Sequence, residues 1–293
     1  MLRQFVLSLC VGLGLVACSG IPTEEVQTYT TAYTEAQAAG TLLLDKISPT
    51  LAPRGGKSKC KQRATGITSC FDADLAIHGD QILEADSIRV RRAALDAIAT
   101  YNALLLAYAE NRSADVAKSQ LNGLGLLLSD LQSLIPGSGI PFGTITDQLG
   151  GFVARIEQAR ASRNLRQVLI DGKPIIQDIL AALIEDTDEI YTIYYGPRRK
   201  RQVQLAIIVK RGGEGAKVAV QQREAITRDL RQFHDSVTSY ARLLHRTSKA
   251  LDVLADAAEN PQLSEENLRA VIRESIEIRN EARIFWRTIR GQG

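Results

Sequence analysis

Three groups of residues in this 293-residue chain have types and spacing that could support chemistry. Arg54-Gly55-Gly56-Lys57-Ser58 resembles the end of a phosphate-binding loop, but such a loop needs a glycine where Leu51 stands and a strand where Pro53 stands. His234 and His245 could each ligate a metal, yet on one helix they lie about 16 Å apart and cannot share an ion. His234 has Asp235 beside it but no serine or cysteine nucleophile in a matching pattern, so a surface position is expected. Glu185, Asp186, Asp188 and Glu189 offer oxygens without the spacing of a calcium loop, and a solvated helix face is expected there. No catalytic residue, metal or cofactor is therefore expected. The remaining candidate is electrostatic: Arg198, Arg199, Lys200 and Arg201 follow Tyr191, Tyr194 and Tyr195. A basic, tyrosine-flanked patch can rest on anionic head groups or on an acidic partner. Equally, it can be a solvated turn between helices whose tyrosines belong to the core.

The start of the chain bears on where such a patch would act. Arg3, the apolar run from Phe5 to Leu15 and the small residues before Cys18 read as an export signal. Leu15-Val16-Ala17-Cys18 resembles the lipobox of bacterial lipoproteins. That resemblance implies a signal peptide over 1–17, diacylglycerol on the Cys18 sulfur and a lipidated tether over 18–23. Ser19 after the cysteine implies the outer membrane and its periplasmic face. A retained anchor helix is the competing reading, but the run is shorter than the roughly 20 apolar residues a span requires. With Cys10 removed and Cys18 lipidated, Cys60 and Cys70 remain in an oxidising compartment. They are expected to pair and close a loop near 50–72. A zinc site would need two more ligands, and only His78 lies near. Export also removes nucleic acid as a natural partner.

The elements that must carry these residues read as helices. The chain is rich in Ala, Leu, Ile, Arg and Glu, and aromatics are 5% of residues. Long runs of alternating β-branched residues are missing. Helices are expected from Glu24 to Ile47, Ile82 to Ala109, Ser113 to Leu134 and Thr144 to Ile170. Asp171-Gly172-Lys173-Pro174 is expected to break the chain before a fifth helix running from Pro174 past Tyr191. Ile226, Leu230, Phe233, Val237, Tyr240, Leu244, Thr247, Leu251 and Leu254 alternate by four and three, a heptad rhythm within one long helix. After Asn260-Pro261, Leu268, Val271, Ile278, Ala282, Phe285 and Ile289 repeat it, so the two helices should form an antiparallel hairpin. The expected fold is all-α: one elongated antiparallel helical bundle over 24–293 with a C-terminal helical hairpin.

From Gly196 onward nineteen Lys or Arg stand against twelve Asp or Glu, while the earlier part is net acidic. These features point to a membrane-anchored, non-enzymatic binding or scaffold subunit whose partners are the membrane, through the lipid, and an envelope protein. The other reading is a membrane-perturbing helical protein that inserts the glycine-rich apolar hairpin 124–152. Oligomeric state is not encoded in any of these patterns. Replacing Arg198 to Arg201 with Ser is expected to weaken membrane or partner association at low salt, and unchanged binding would remove the patch from consideration.

Overall fold

The computed structural model describes residues 23–48, 51, 85–138, 165–259 and 264–290. Cys18, the Cys60 and Cys70 pair, the phosphate-loop-like segment, all of 139–152 and the expected helix from Thr144 as far as residue 164 lie outside those residues. The described residues form seven helices and no strand: α1 (Thr23–Ile47), α2 (Asp86–Ala109), α3 (Ala114–Ser138), α4 (Leu165–Glu185), α5 (Thr187–Arg211), α6 (Gly215–Glu259) and α7 (Ser264–Ile289).

α6 is the spine. Its apolar heptad residues turn inward, and Leu230, Phe233, Val237, Tyr240, Leu244, Leu251 and Leu254 are all buried. α7 packs antiparallel along it, as the C-terminal rhythm predicts, with Val271, Ile278, Ala282, Phe285 and Ile289 in the shared core. Polar contacts fix the register. Gln232 donates to the carbonyls of Thr288 and Ile289 at 2.8 and 2.9 Å, and Lys249 and Arg246 reach the buried Glu274 at 2.7 and 3.4 Å. Burial would raise the Glu274 carboxyl, but its two cations outweigh burial and hold it below its ordinary value. α1, α4 and α5 also pack on α6, α1 packs on α2 and α7, and α3 lies chiefly along α2. One hydrophobic cluster draws residues from all seven helices.

The structure departs from the sequence expectation at two points. The expected break at Asp171 to Pro174 does not occur, because α4 runs through it. Gly172 is needed within that helix: a Cβ there would sit 2.3 Å from the Tyr101 ring of α2. The Tyr101 hydroxyl contacts the carbonyls of Val168 and Leu169 at 3.3 Å, one turn before Pro174 interrupts the amide ladder. Burial of Val168, Leu169, Ile175, Ile176, Ile179 and Leu180 stabilises a helix that local preference disfavours. α3 likewise extends to Ser138, past the proline at 136.

The second departure is at Asp186, where the helix expected to run past Tyr191 divides into α4 and α5. The backbone ladder nearly persists, since the Asp186 amide donates to Ala182 and the Ile190 amide to Asp186. Side-chain chemistry marks the division. Thr187 returns its hydroxyl to the Ile184 carbonyl at 2.7 Å, and Asp186 turns into the core. There its two oxygens accept from Arg91 of α2 at 2.5 and 2.7 Å, with Arg91 1% and Asp186 4% exposed. Asp186 is therefore not part of a solvated acidic face. Burial pushes its carboxyl up from the ordinary value, and the guanidinium pulls against that shift.

Arg91→Ala should cost about 3–5 kcal/mol of stability at neutral pH, because a buried carboxylate is left without its cation. A group whose folded value is raised favours the folded state when protonated, so stability falls as pH rises from the unfolded value through the folded one. Urea unfolding should accordingly show a smaller Arg91→Ala deficit near pH 4 than at pH 7. An equal deficit at both would mean that lost packing, not charge, is responsible.

Candidate functional site

α5 beyond Tyr195 and α6 before Leu230 leave the bundle together as a two-helix arm. Between residues 196 and 229 only Leu205 and Ala219 are buried. The two helices turn at Gly212 and Gly213, whose φ angles of 73° and 92° suit a residue without a Cβ. Pro197 lies inside α5, and the basic quartet sits in mid-helix instead of in a turn.

The arm is joined to the bundle by an aromatic and ionic clasp. The Tyr194 ring stacks on Phe233 of α6 with centroids 3.7 Å apart, and Tyr191 lies against Tyr195, Phe233 and His234. The Tyr194 hydroxyl donates to both oxygens of Asp229 at 2.8 and 3.0 Å. Arg198 completes the group: it pairs with Asp229 at 2.8 Å, donates to the Tyr194 carbonyl at 3.2 Å and covers the Tyr194 ring from 3.3 Å. Burial, then Asp229, push the Tyr194 hydroxyl up to about 12 against the pull of Arg198, so it remains a donor at physiological pH. Farther out, Gln202 donates to Thr227 at 3.0 Å and Arg201 to Gln222 at 3.3 Å.

The four residues of the basic quartet therefore do different things. Arg198 is turned into the seam, Arg201 bridges one edge of the arm, Lys200 is exposed, and Arg199 lines a groove on the other edge. That groove is the candidate site. Three contiguous depressions of 490, 420 and 380 Å³ run along it, sharing Thr227. Val203, Ala206 and Ile207 of α5 line the 490 Å³ depression together with Arg223 and Thr227 of α6, and Val220 lines the adjoining one on α6. Arg199, Lys210, Arg223, Arg228 and Arg231 border it, and among the described residues none of these five makes an ion pair. Only Glu224 and Asp235 oppose them.

Apolar exposure gathers on the same arm. Val203, Ile207, Ile208, Val218 and Val220 are each between 40 and 53% exposed. The quartet alone did not reveal this surface. A sequence signal for it exists in Leu205-Ala206-Ile207-Ile208-Val209, which places apolar residues all around a helix that has one neighbour.

The other candidates separate from the site. His234 lies exposed at the foot of the arm, 3.2 Å from Asp235, and His245 is exposed farther along α6. Among the described residues no cluster of three or more His, Cys, Asp or Glu could hold a metal ion. In α3, Leu124, Leu128 and Leu131 are buried while Leu126 is 70% exposed, so the described part of the 124–152 segment is an amphipathic helix laid on α2. No described helix is long and apolar enough to cross a membrane. No protein-family model, curated protein or solved structure matches the chain.

Arg198→Ser should loosen the arm, because it removes the ion pair and the ring cover together. Hydrogen exchange of the amides from 196 to 229 is expected to accelerate, with that of residues 240–258 unchanged. Lys200→Ser should leave both rates as they are; equal effects from the two variants would mean that the clasp does not order the arm.

Proposed function

We propose that the protein is an envelope lipoprotein, attached through Cys18 to the periplasmic face of the outer membrane, that serves as a non-enzymatic binding or scaffold subunit. The observation that carries the binding role is the arm, on which, among the described residues, Arg199, Lys210, Arg223, Arg228 and Arg231 make no ion pair and five apolar side chains stand exposed. A large apolar exposure rimmed by charge is the usual mark of an interaction surface. Four residues separate Cys18 from α1, so a tether of less than about 20 Å keeps the bundle near the bilayer. Several acyl chains on one sulfur hold much better than one, since each buried methylene contributes about 0.8 kcal/mol. A Cys60–Cys70 disulfide belongs to the same proposal. It would close the segment between α1 and α2 and contribute about 2–3 kcal/mol.

The membrane-perturbing reading has less support. Insertion of 124–152 would have to strip Leu124, Leu128 and Leu131 from α2, where their apolar surface is already buried.

Metabolic labelling with palmitate should mark the wild type and leave Cys18→Ala unlabelled; label on both would remove the lipid anchor from the proposal. In-cell cross-linking of the wild type should join it to an envelope protein. Arg199, Lys210, Arg223 and Arg231 replaced together by Ser should abolish that adduct without lowering Tm, since all four are solvent-facing. An adduct that persists at full yield would exclude the arm as the binding surface.

A further inference from the structure

Resting on that scaffold reading, we infer that the groove between α5 and α6 receives one acidic amphipathic helix of a partner protein, completing a three-helix bundle around the arm. Two antiparallel helices bury a single seam, here held by Leu205, Ala219 and the Gln202–Thr227 bond. A third helix has apolar surface to cover there, with Val203, Ala206 and Ile207 lining one depression beside Thr227 and Val220 lining the next. Along α6 the lining runs from Val220 to Asp235, about 22 Å, which is the length of a four-turn helix. The rims specify its charge. Arg199 and Lys210 line it from α5, Arg223 and Arg231 from α6, and among the described residues none of these four pairs with a carboxylate. A helix with an apolar stripe flanked on both sides by Glu or Asp would satisfy floor and rims together.

The same charges disfavour the other occupants. A second copy would bring its own arm, which from residue 198 to 231 holds ten Lys or Arg against three Asp or Glu, so two arms repel. A bilayer entered tip-first would meet Lys210, Arg211, Glu214 and Lys217 before any of the apolar belt behind them.

The test places the photoreactive residue p-benzoylphenylalanine at Val203 in the groove, or at Ile208 about 140° round α5, in the full-length protein in cells. The Val203 probe should form an adduct mapping by mass spectrometry to a helix with at least two acidic residues beside its apolar stripe. Arg199→Glu combined with Arg223→Glu should reduce that adduct about tenfold, and circular dichroism melting of the doubly substituted protein should match the wild type. If the doubly substituted protein melts early, Arg199→Gln with Arg223→Gln replaces it, with the same direction expected. Protein adducts from Ile208 alone would overturn the groove and leave the scaffold role standing. A Val203 adduct with lipid, with a second copy or with a non-acidic segment would also overturn the inference. Protein adducts from neither position would overturn both the groove and the scaffold reading.

Discussion

The length of α6 governs what the rest of the molecule can do. At 1.5 Å per residue its 45 residues extend about 67 Å, whereas α7, the longest of the helices flanking its core-forming stretch, has 26 residues and reaches about 39 Å. The helices packed on it cannot cover it all. Its first third is left with α5 alone, and a pair of helices buries one stripe of each partner and no more. Apolar residues off that stripe must meet water. Val203, Ile207, Ile208, Val218 and Val220 are exposed for this geometric reason, so the surface follows directly from a helix that outruns its bundle. Gly212 and Gly213 preserve the arrangement by turning the chain at once, with no loop to fold back over the exposed side chains.

Within the bundle the Arg91–Asp186 pair has a different role from the apolar core. Removing two charges from water costs several kcal/mol for each ion, and their attraction only approximately offsets it, so the pair adds little net stability. Its contribution is positional. A carboxylate that can be buried only opposite that guanidinium fixes the junction of α4 and α5 against α2, beside Tyr240 of the spine. Gly40 of α1 belongs to the same junction: a Cβ there would meet the Tyr240 hydroxyl and Leu95 at 2.8 Å.

Much of the fold was legible because apolar periodicity is a local property of the chain. The four-and-three rhythm from Ile226 to Leu254 marks a helix whatever its partners are, and α1, α2, α6 and α7 follow the sequence reading closely. Pro174 and Asp186 did not reveal their roles, because each depends on a distant residue. Gly172-Lys173-Pro174 resembles a helix break until Tyr101 is seen to require a glycine there, and Glu185-Asp186-Thr187-Asp188 resembles a solvated face until Arg91 arrives from α2. One residue of each pair was visible in its own neighbourhood, and the other was 71 or 95 positions away. The candidate site was half legible for a related reason. The cations could be counted in the sequence, but that no third described helix lies beside them could not.

Adjacency in sequence is a poor guide to a charged surface on a helix, and the quartet explains why. Successive residues rotate by about 100°, so four consecutive cations are spread around the whole circumference and cannot form one patch. Arg198 consequently becomes a structural residue, neutralised by Asp229 and covering Tyr194, while Arg199 shares its face with Val203 and Lys210. The working surface is assembled instead from residues four, seven or eleven apart on α5 and four or eight apart on α6. Of a formal net charge of +3, the arm holds ten cations against three anions, so the remainder of the chain is net acidic. The field of such a molecule is polarised along the arm and, at physiological salt, reaches about 8 Å from it. An acidic partner would be drawn towards the groove and away from the bundle before any apolar contact formed. Charge thus selects the approach and the apolar floor retains what arrives, a division of labour that a quartet of adjacent arginines and lysines could not provide by itself.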